Sequence, residues 1–268
     1  DNSFESAEEQ AAFDVYDANN INPLYGFFVA RAGLGASESM RSKLAEYNDP
    51  RLSRAFITKQ GASGKEQAPG TADNAVYAPN GSPEQGTSKY GTSLFMYSIS
   101  APTLLLSYHE LKFLEAEALC RLGRDAKSAL KDAVVAGLLN AENSFSVSRK
   151  ELGKTLINPA SSITDTEAES YFDNTIEAKY TAEPLKTTMI QKYFALWGAS
   201  GEATESYNDV RRMKGLGENF IELKNPNSFP LRCPYGNSDT TTNAEVKAAY
   251  GNGQYVYSEN VWWAGGSR

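Results

Sequence analysis

One histidine and two cysteines are all that the chain offers for the commonest catalytic and metal-binding chemistries. His109 would have to serve alone in any Ser-His-Asp or Cys-His device, and a His/Cys zinc site needs several such ligands. Cys120 and Cys233 lie far apart in unrelated contexts, so neither a disulfide framework nor a thiolate metal site is indicated. Carboxylates are the remaining candidates. The 33 Asp and Glu residues are enough to supply a glycoside-hydrolysing pair, but such a pair must sit about 5–10 Å apart, and no spacing singles one out. The expectation is no assigned catalytic residue, no metal and no cofactor, with a helical glycoside hydrolase left open as a rival.

Charge narrows the partners. With 26 Lys and Arg the formal net charge is −7, and no basic run occurs. Phosphate-backbone affinity needs clustered cations, so nucleic acid is not an expected partner. No apolar stretch approaches the roughly 18–20 residues of a membrane span. The chain opens at Asp1 rather than Met, which suggests an N-terminal region lost by processing, cloning or proteolysis.

The elements that must position any site begin after Pro102. On a wheel of about 100° per residue with Leu104 at zero, Tyr108, Leu111, Ala118, Leu119 and Leu122 share one face. Gly123 should end this helix. Glu115 falls about 20° from Leu104 on that wheel, and a structural carboxylate paired with a cation is favoured there over a ligand. Glu110 and Glu117 share a different face. Asp125 should cap a second helix through Ala126, Ala129, Leu130, Ala133, Val134 and Leu138, making a hairpin of about 35 residues, near the tetratricopeptide unit. Thr164-Asp165-Thr166-Glu167 is a capping box for a third helix, Pro184 opens a fourth that ends at Gly198, and a fifth covers Ser206 to Lys214.

Around this core the composition is irregular. Gly61 to Gly91 is dense in turn formers and reads as a long loop, either a binding element or a surface excursion. Asn22-Pro23-Leu24-Tyr25 and Asp49-Pro50-Arg51-Leu52 are turn-like and flank a short helix near Ser37 to Tyr47. After Gly217 an extended, aromatic-rich tail should lie over the helices, with Trp262 and Trp263 packed rather than stacked on a ligand. The regions are thus 1–100, loop-rich; 101–216, a helical core; and 217–268, a tail packed on the core.

The run Glu110-Leu111-Lys112-Phe113-Leu114-Glu115-Ala116-Glu117-Ala118, with Leu122-Gly123 and Ala126, Ala129, Leu130 and Ala133, resembles the helical core of the SusD/RagB-like outer-membrane nutrient-binding proteins. Ile190-Gln191-Lys192-Tyr193 with Ala195-Leu196, then Glu205-Ser206-Tyr207-Asn208-Asp209 with Arg211-Arg212, is similar to the family's second block. Phe229-Pro230-Leu231-Arg232, Tyr235, Asn243 and Trp262-Trp263 resemble its C-terminal block, and the two early turn motifs fit as well. The match spans about 250 residues in the right order.

The resemblance implies a mainly α fold of tetratricopeptide-like hairpins with long irregular loops and an extended C-terminal tail, all in one SusD-like domain. It implies a surface-exposed outer-membrane lipoprotein of Bacteroidetes-type bacteria whose anchor is absent from this chain. Its partners would be a SusC-like TonB-dependent transporter and a glycan, or in RagB-like members a peptide. Family members run to about twice this length, so the chain resembles the C-terminal part of a longer one, with earlier helices packing on the Leu104 to Gly137 pair. Glu110, Glu117, Asp209, Arg211 and Arg212 resemble an ion-pair network, in which Arg211 or Arg212 should meet Glu117 or Glu110. No ligand residue carries over by motif. Sugar rings need aromatic planes, and their hydroxyls need amide and carboxylate partners. The best local supply is Tyr77, Asn80, Gln85, Tyr90 and Tyr97, and these are the expected ligand residues.

Overall fold

The computed structural model describes residues 3–31, 35–60, 65–67, 76–81, 90–157, 159–198, 201–224 and 228–266. The chain divides into two units, Asp1–Leu223 and Lys224–Arg268.

In the first unit, β1 (Ala11–Phe13) precedes α1 (Pro23–Arg31), α2 (Glu38–Glu46) and α3 (Leu52–Ala55). Next come β2 (Phe56–Gln60), β3 (Lys65–Gln67), β4 (Thr92–Ser93) and β5 (Thr103–Leu106). β1 pairs antiparallel with β5, and a small sheet runs β4-β2-β3-β6, where β6 is Leu156–Ile157 and pairs parallel with β3. The turn-like Asn22 motif in fact opens α1. Asn22 is buried, its Oδ1 accepts from the Leu24 backbone N–H at 2.8 Å, its Nδ2 donates to the Ala101 carbonyl, and Pro23 takes the first helical position.

The body is helical. α4 (Tyr108–Arg121) and α5 (Lys127–Leu152) pack as a hairpin. α6 (Asp165–Tyr171) runs through a π-helical turn (Phe172–Ile176) into α7 (Glu177–Ala182), which packs on α8 (Pro184–Ala195). α9 (Ala203–Gly215) follows. The turn after α4 needs a left-handed residue, and Gly123 supplies it at φ +67°, leaving the Arg124 N–H to reach back to the Leu119 carbonyl. Where α5 meets α8, Gly137 lets the backbones close. A Cβ there would lie 2.9 Å from that of Ala195.

Three expectations change here. α4 starts after Ser107, not at Leu104, which belongs to β5; the Ser107 Oγ accepts the Glu110 backbone N–H at 3.0 Å. The wheel origin was therefore outside the helix. The buried face is His109, Glu110, Phe113, Ala116 and Glu117, whereas Leu122 is 70% exposed. Glu115 has the expected cationic partner, Lys112 at 2.9 Å, but lies half exposed and is no part of the apolar stripe. Finally, α5 runs 26 residues, because nothing between Gly137 and Gly153 breaks it. Asp125 still binds its first turn, accepting from the Lys127 N–H at 3.0 Å.

The core of this unit holds Phe113, Leu130, Leu138, Phe145, Phe172, Ile176 and Phe194, each essentially inaccessible. The Asp49-Pro50-Arg51 turn is tied into it: buried Arg51 forks onto Asp49 at 2.8 and 2.7 Å and donates to the Phe194 carbonyl at 2.8 Å. A buried guanidinium is tolerated only with such complete pairing.

The second unit contains α10 (Asn237–Thr242) and α11 (Ala244–Tyr250), so the stretch read as wholly extended is helical in its middle. Asn243 caps α11 by accepting the N–H groups of Glu245 and Val246, and the Ala-rich segment that follows favours helix. Tyr235 and Tyr250 stack at 4.3 Å. Trp262 and Trp263 meet edge to face and are 72% and 70% exposed.

Candidate functional site

The expected ligand tyrosines are packing residues. Tyr77 is buried, with its ring edge on Phe56 at 5.2 Å and the Arg41 guanidinium 5.2 Å from its centroid. Burial raises its phenol pKa. Tyr90 is also buried, and Tyr97 is half-buried with its ring against Phe28 at 5.1 Å. Asn80 accepts the Ser37 hydroxyl at 2.8 Å, beside the cap of α2. Gln85 lies outside the described residues. The physical reason is area: a tyrosine ring flanked by Phe56 and Ile57 gains more from leaving water than from standing as a platform.

The charged residues do converge. Glu117 on α4 accepts both Arg212 nitrogens from α9, Nη2 at 2.7 Å, and also Arg121 Nε at 2.6 Å. Arg212 reaches Asp209 at 2.8 Å, and Asp209 in turn meets the buried Lys192 at 2.8 Å. Lys192 lies 4.0 Å from Glu110. Arg121 forks onto Glu218 at 2.8 and 2.9 Å. Burial pushes the Glu117 carboxyl up, and Arg212 and Arg121 more than reverse it, leaving its pKa lowered. Arg211 is exposed, its guanidinium 5.7 Å from the Tyr207 ring centroid. Lys192, Arg121, Glu202 and Glu218 were not anticipated; Arg121 alone carried a signal, four residues after Glu117 on one helix face.

Behind this network, Glu110 and Glu202 are neighbours in the interior, with the Glu202 Oε1 accepting the Ser107 backbone N–H and its Oε2 left without a hydrogen-bond partner. Burial first, then the adjacent Glu202 carboxyl, raise the Glu110 pKa to about 8. The neighbouring His109 is pushed down to about 3 by burial and the Arg51 charge, so it is neutral at pH 7. Its Nε2 stands 3.8 Å from a Glu202 oxygen. A paired acid with a raised pKa is what a hydrolase would use, but such a pair has to face a sugar bond in an open cleft. Both of these carboxyls are closed from solvent, at 6% and 2% exposure. Among the described residues no group of three His, Cys, Asp or Glu is placed to hold a metal ion.

The accessible chemistry lies on the outer face of α5. A groove of about 380 Å3 opens between that helix and the Glu5 to Gln10 segment, and a further hollow of about 250 Å3 shares Gln10, Asn140 and Asn143 with it. Asp132, Val135, Ala136, Leu139, Asn140 and Asn143 line it at helical spacing, opposite the core face of α5. Tyr108 and His109 form one wall. The lining sets the aliphatic Val135, Ala136 and Leu139 among amides, hydroxyls and the charged Glu5, Lys131, Asp132 and Glu169, a combination that covers an apolar surface while offering both donors and acceptors to hydroxyls. Sequence reasoning missed this groove because it ended α5 near Leu138.

A family model described as SusD-like, "starch-binding associating with outer membrane", matches residues 1–235. The chain belongs to the SusD-like family. A solved SusD/RagB family protein from Bacteroides thetaiotaomicron VPI-5482 is 66% identical to this SusD-like chain and superposes with a TM-score of 0.89. The alignment covers 99% of the chain but 57% of that structure. Two SusD homologues from Bacteroides fragilis NCTC 9343, 19% and 16% identical with TM-scores of 0.57 and 0.60, share the fold over 95% and 97% of the chain and 57% and 58% of theirs. No curated protein matches the chain. Among the described residues no helix of the SusD-like chain is long and apolar enough to cross a membrane.

Proposed function

We propose that this SusD-like chain serves non-catalytic nutrient capture at the outer membrane. It holds a glycan at the cell surface for delivery to a SusC-like TonB-dependent transporter. The observation behind this reading is the family match across residues 1–235. The α5 groove supports it chemically. Gln10, Asn140 and Asn143 suit sugar hydroxyls, and Val135, Ala136 and Leu139 suit the C–H faces of the ring. The same aliphatic residues favour a second reading, in which an extended peptide lies along α5. Hydrolysis is disfavoured because the paired carboxyls are buried.

The test is incubation of the purified chain with starch, other polysaccharides and a peptide pool. Retention on a glycan with no new reducing ends is expected. New reducing ends, or retention on peptides alone, would contradict the proposal.

A further inference from the structure

A second hollow of the first unit, of about 280 Å3, lies where the end of α2, α7, α8 and the Phe220-Ile221 segment meet. Three ammonium groups line it, Lys43, Lys179 and Lys186. In a chain of net charge −7 this is a local reversal, offset only in part by Glu46 and Glu183, which line it too. The Lys179 ammonium is held over the Tyr47 ring, 4.6 Å from its centroid, and Lys186 is bonded to Glu183 at 2.8 Å on the exposed rim. The rest of the lining mixes polar Thr187 with the partly exposed Phe220 and Ile221.

From this convergence we infer that the hollow binds a sugar acid, a uronic-acid unit whose carboxylate meets Lys179 and Lys186 while its ring lies on the Phe220 side. The inference rests on the glycan-capture reading and narrows it to acidic glycans. Three features carry it. Ammonium groups with no fixed bidentate geometry suit a small, rotatable carboxylate. Cations in a cleft with low-dielectric walls attract an anion more strongly than the same cations on open surface. Phe220 and Ile221 give a ring something to cover, whereas an inorganic anion has no surface to bury there. The volume, at the small end for ligand sites, fits one ring better than a chain. Tyr47 lines the hollow as well, its ring under Lys179, and burial and then the charges of Glu46 and Glu183 push its phenol up to about 12.

The experiment titrates the whole chain with galacturonate and glucuronate, their neutral counterparts galactose and glucose, acetate, inorganic phosphate and a short peptide with a free C-terminal carboxylate. The uronates should bind at least tenfold more tightly than the neutral sugars, acetate or phosphate. That preference should shrink as salt rises, as for any partly exposed charge pairing. Lys179→Gln with Lys186→Gln should abolish it, with an unchanged melting temperature showing that the fold survives. Equal affinity for acidic and neutral sugars, an unaffected double variant, or tighter binding of the peptide or phosphate would overturn the inference. Neutral-glycan retention at the α5 groove is read in the same samples. Its presence without uronate preference refutes this site alone, and loss of all sugar binding refutes the capture reading as well.

Discussion

Glu110 shows how far one residue can depart from its type. On the sequence it is one of many acids on an amphipathic helix, yet burial and the adjacent Glu202 push its carboxyl pKa up to about 8 inside the protein. The consequence is a pH-dependent stability with a definite sign. The Glu110 pKa rises from 4.5 to about 8 on folding, so its contribution is complete below pH 4.5 and is lost as pH climbs towards 8. His109 falls from 6.5 to about 3, so its contribution is complete above pH 6.5 and is lost as pH drops towards 3. Of these two groups only Glu110 acts between pH 6.5 and 8. Urea denaturation across that window should show stability falling with pH, and Glu110→Gln should flatten the slope; an equal slope in the variant would refute the assignment. Tyr77 makes the complementary point about rings. Tyr77→Ala should destabilise the fold by roughly 3 kcal/mol, as large-to-small core substitutions do, while leaving carbohydrate binding intact. A variant that keeps its melting temperature and loses binding would restore the loop as the site. Neither role was legible, because residue type does not reveal which side of a loop faces the core.

At the scale of elements, periodicity made α4 through α9 legible and misplaced their ends. The run Leu104-Leu105-Leu106 continues the apolar phase of α4 although it is a strand, and the decisive signal, Ser107 followed three residues later by Glu110, was overlooked. α1 was hidden for the opposite reason: an Asn-Pro pair reads as a turn and also as a cap with proline at the first helical position. The strands β2, β3 and β4 carried no alternating pattern, since their order comes from pairing across a glycine-rich stretch. The α4 to α9 connection rests on polar links, with Glu117 taking Arg212 and Arg121 together. Glu117→Ala should leave two guanidinium groups without their shared acceptor and cost about 2 kcal/mol, the scale of a hydrogen bond to a charged group. Hydrogen exchange in Ala203–Gly215 should then quicken while Phe113 and Leu130 stay protected. Uniform loosening of the whole helical body would contradict a local link.

At the scale of the molecule, fold class and family were readable because several weak motifs recur in one order. The groove was not, because it depends on α5 continuing past Gly137 and on the Glu5 to Gln10 segment lying across it, a contact between distant positions with no local signature. The SusD-like chain aligns with 57% of its 66% identical relative, which makes the groove the natural place to ask what this part of the fold can hold unaided. The most direct measurement is titration calorimetry of the chain and its Asn140→Ala, Asn143→Ala double variant against the glycans retained in the first screen, with reducing ends assayed in the same samples. Capture at the α5 groove predicts saturable binding in the parent, at least a tenfold loss in the variant at unchanged melting temperature, and no new reducing ends. Undiminished binding in the variant, or sugar cleavage by the parent, would contradict it.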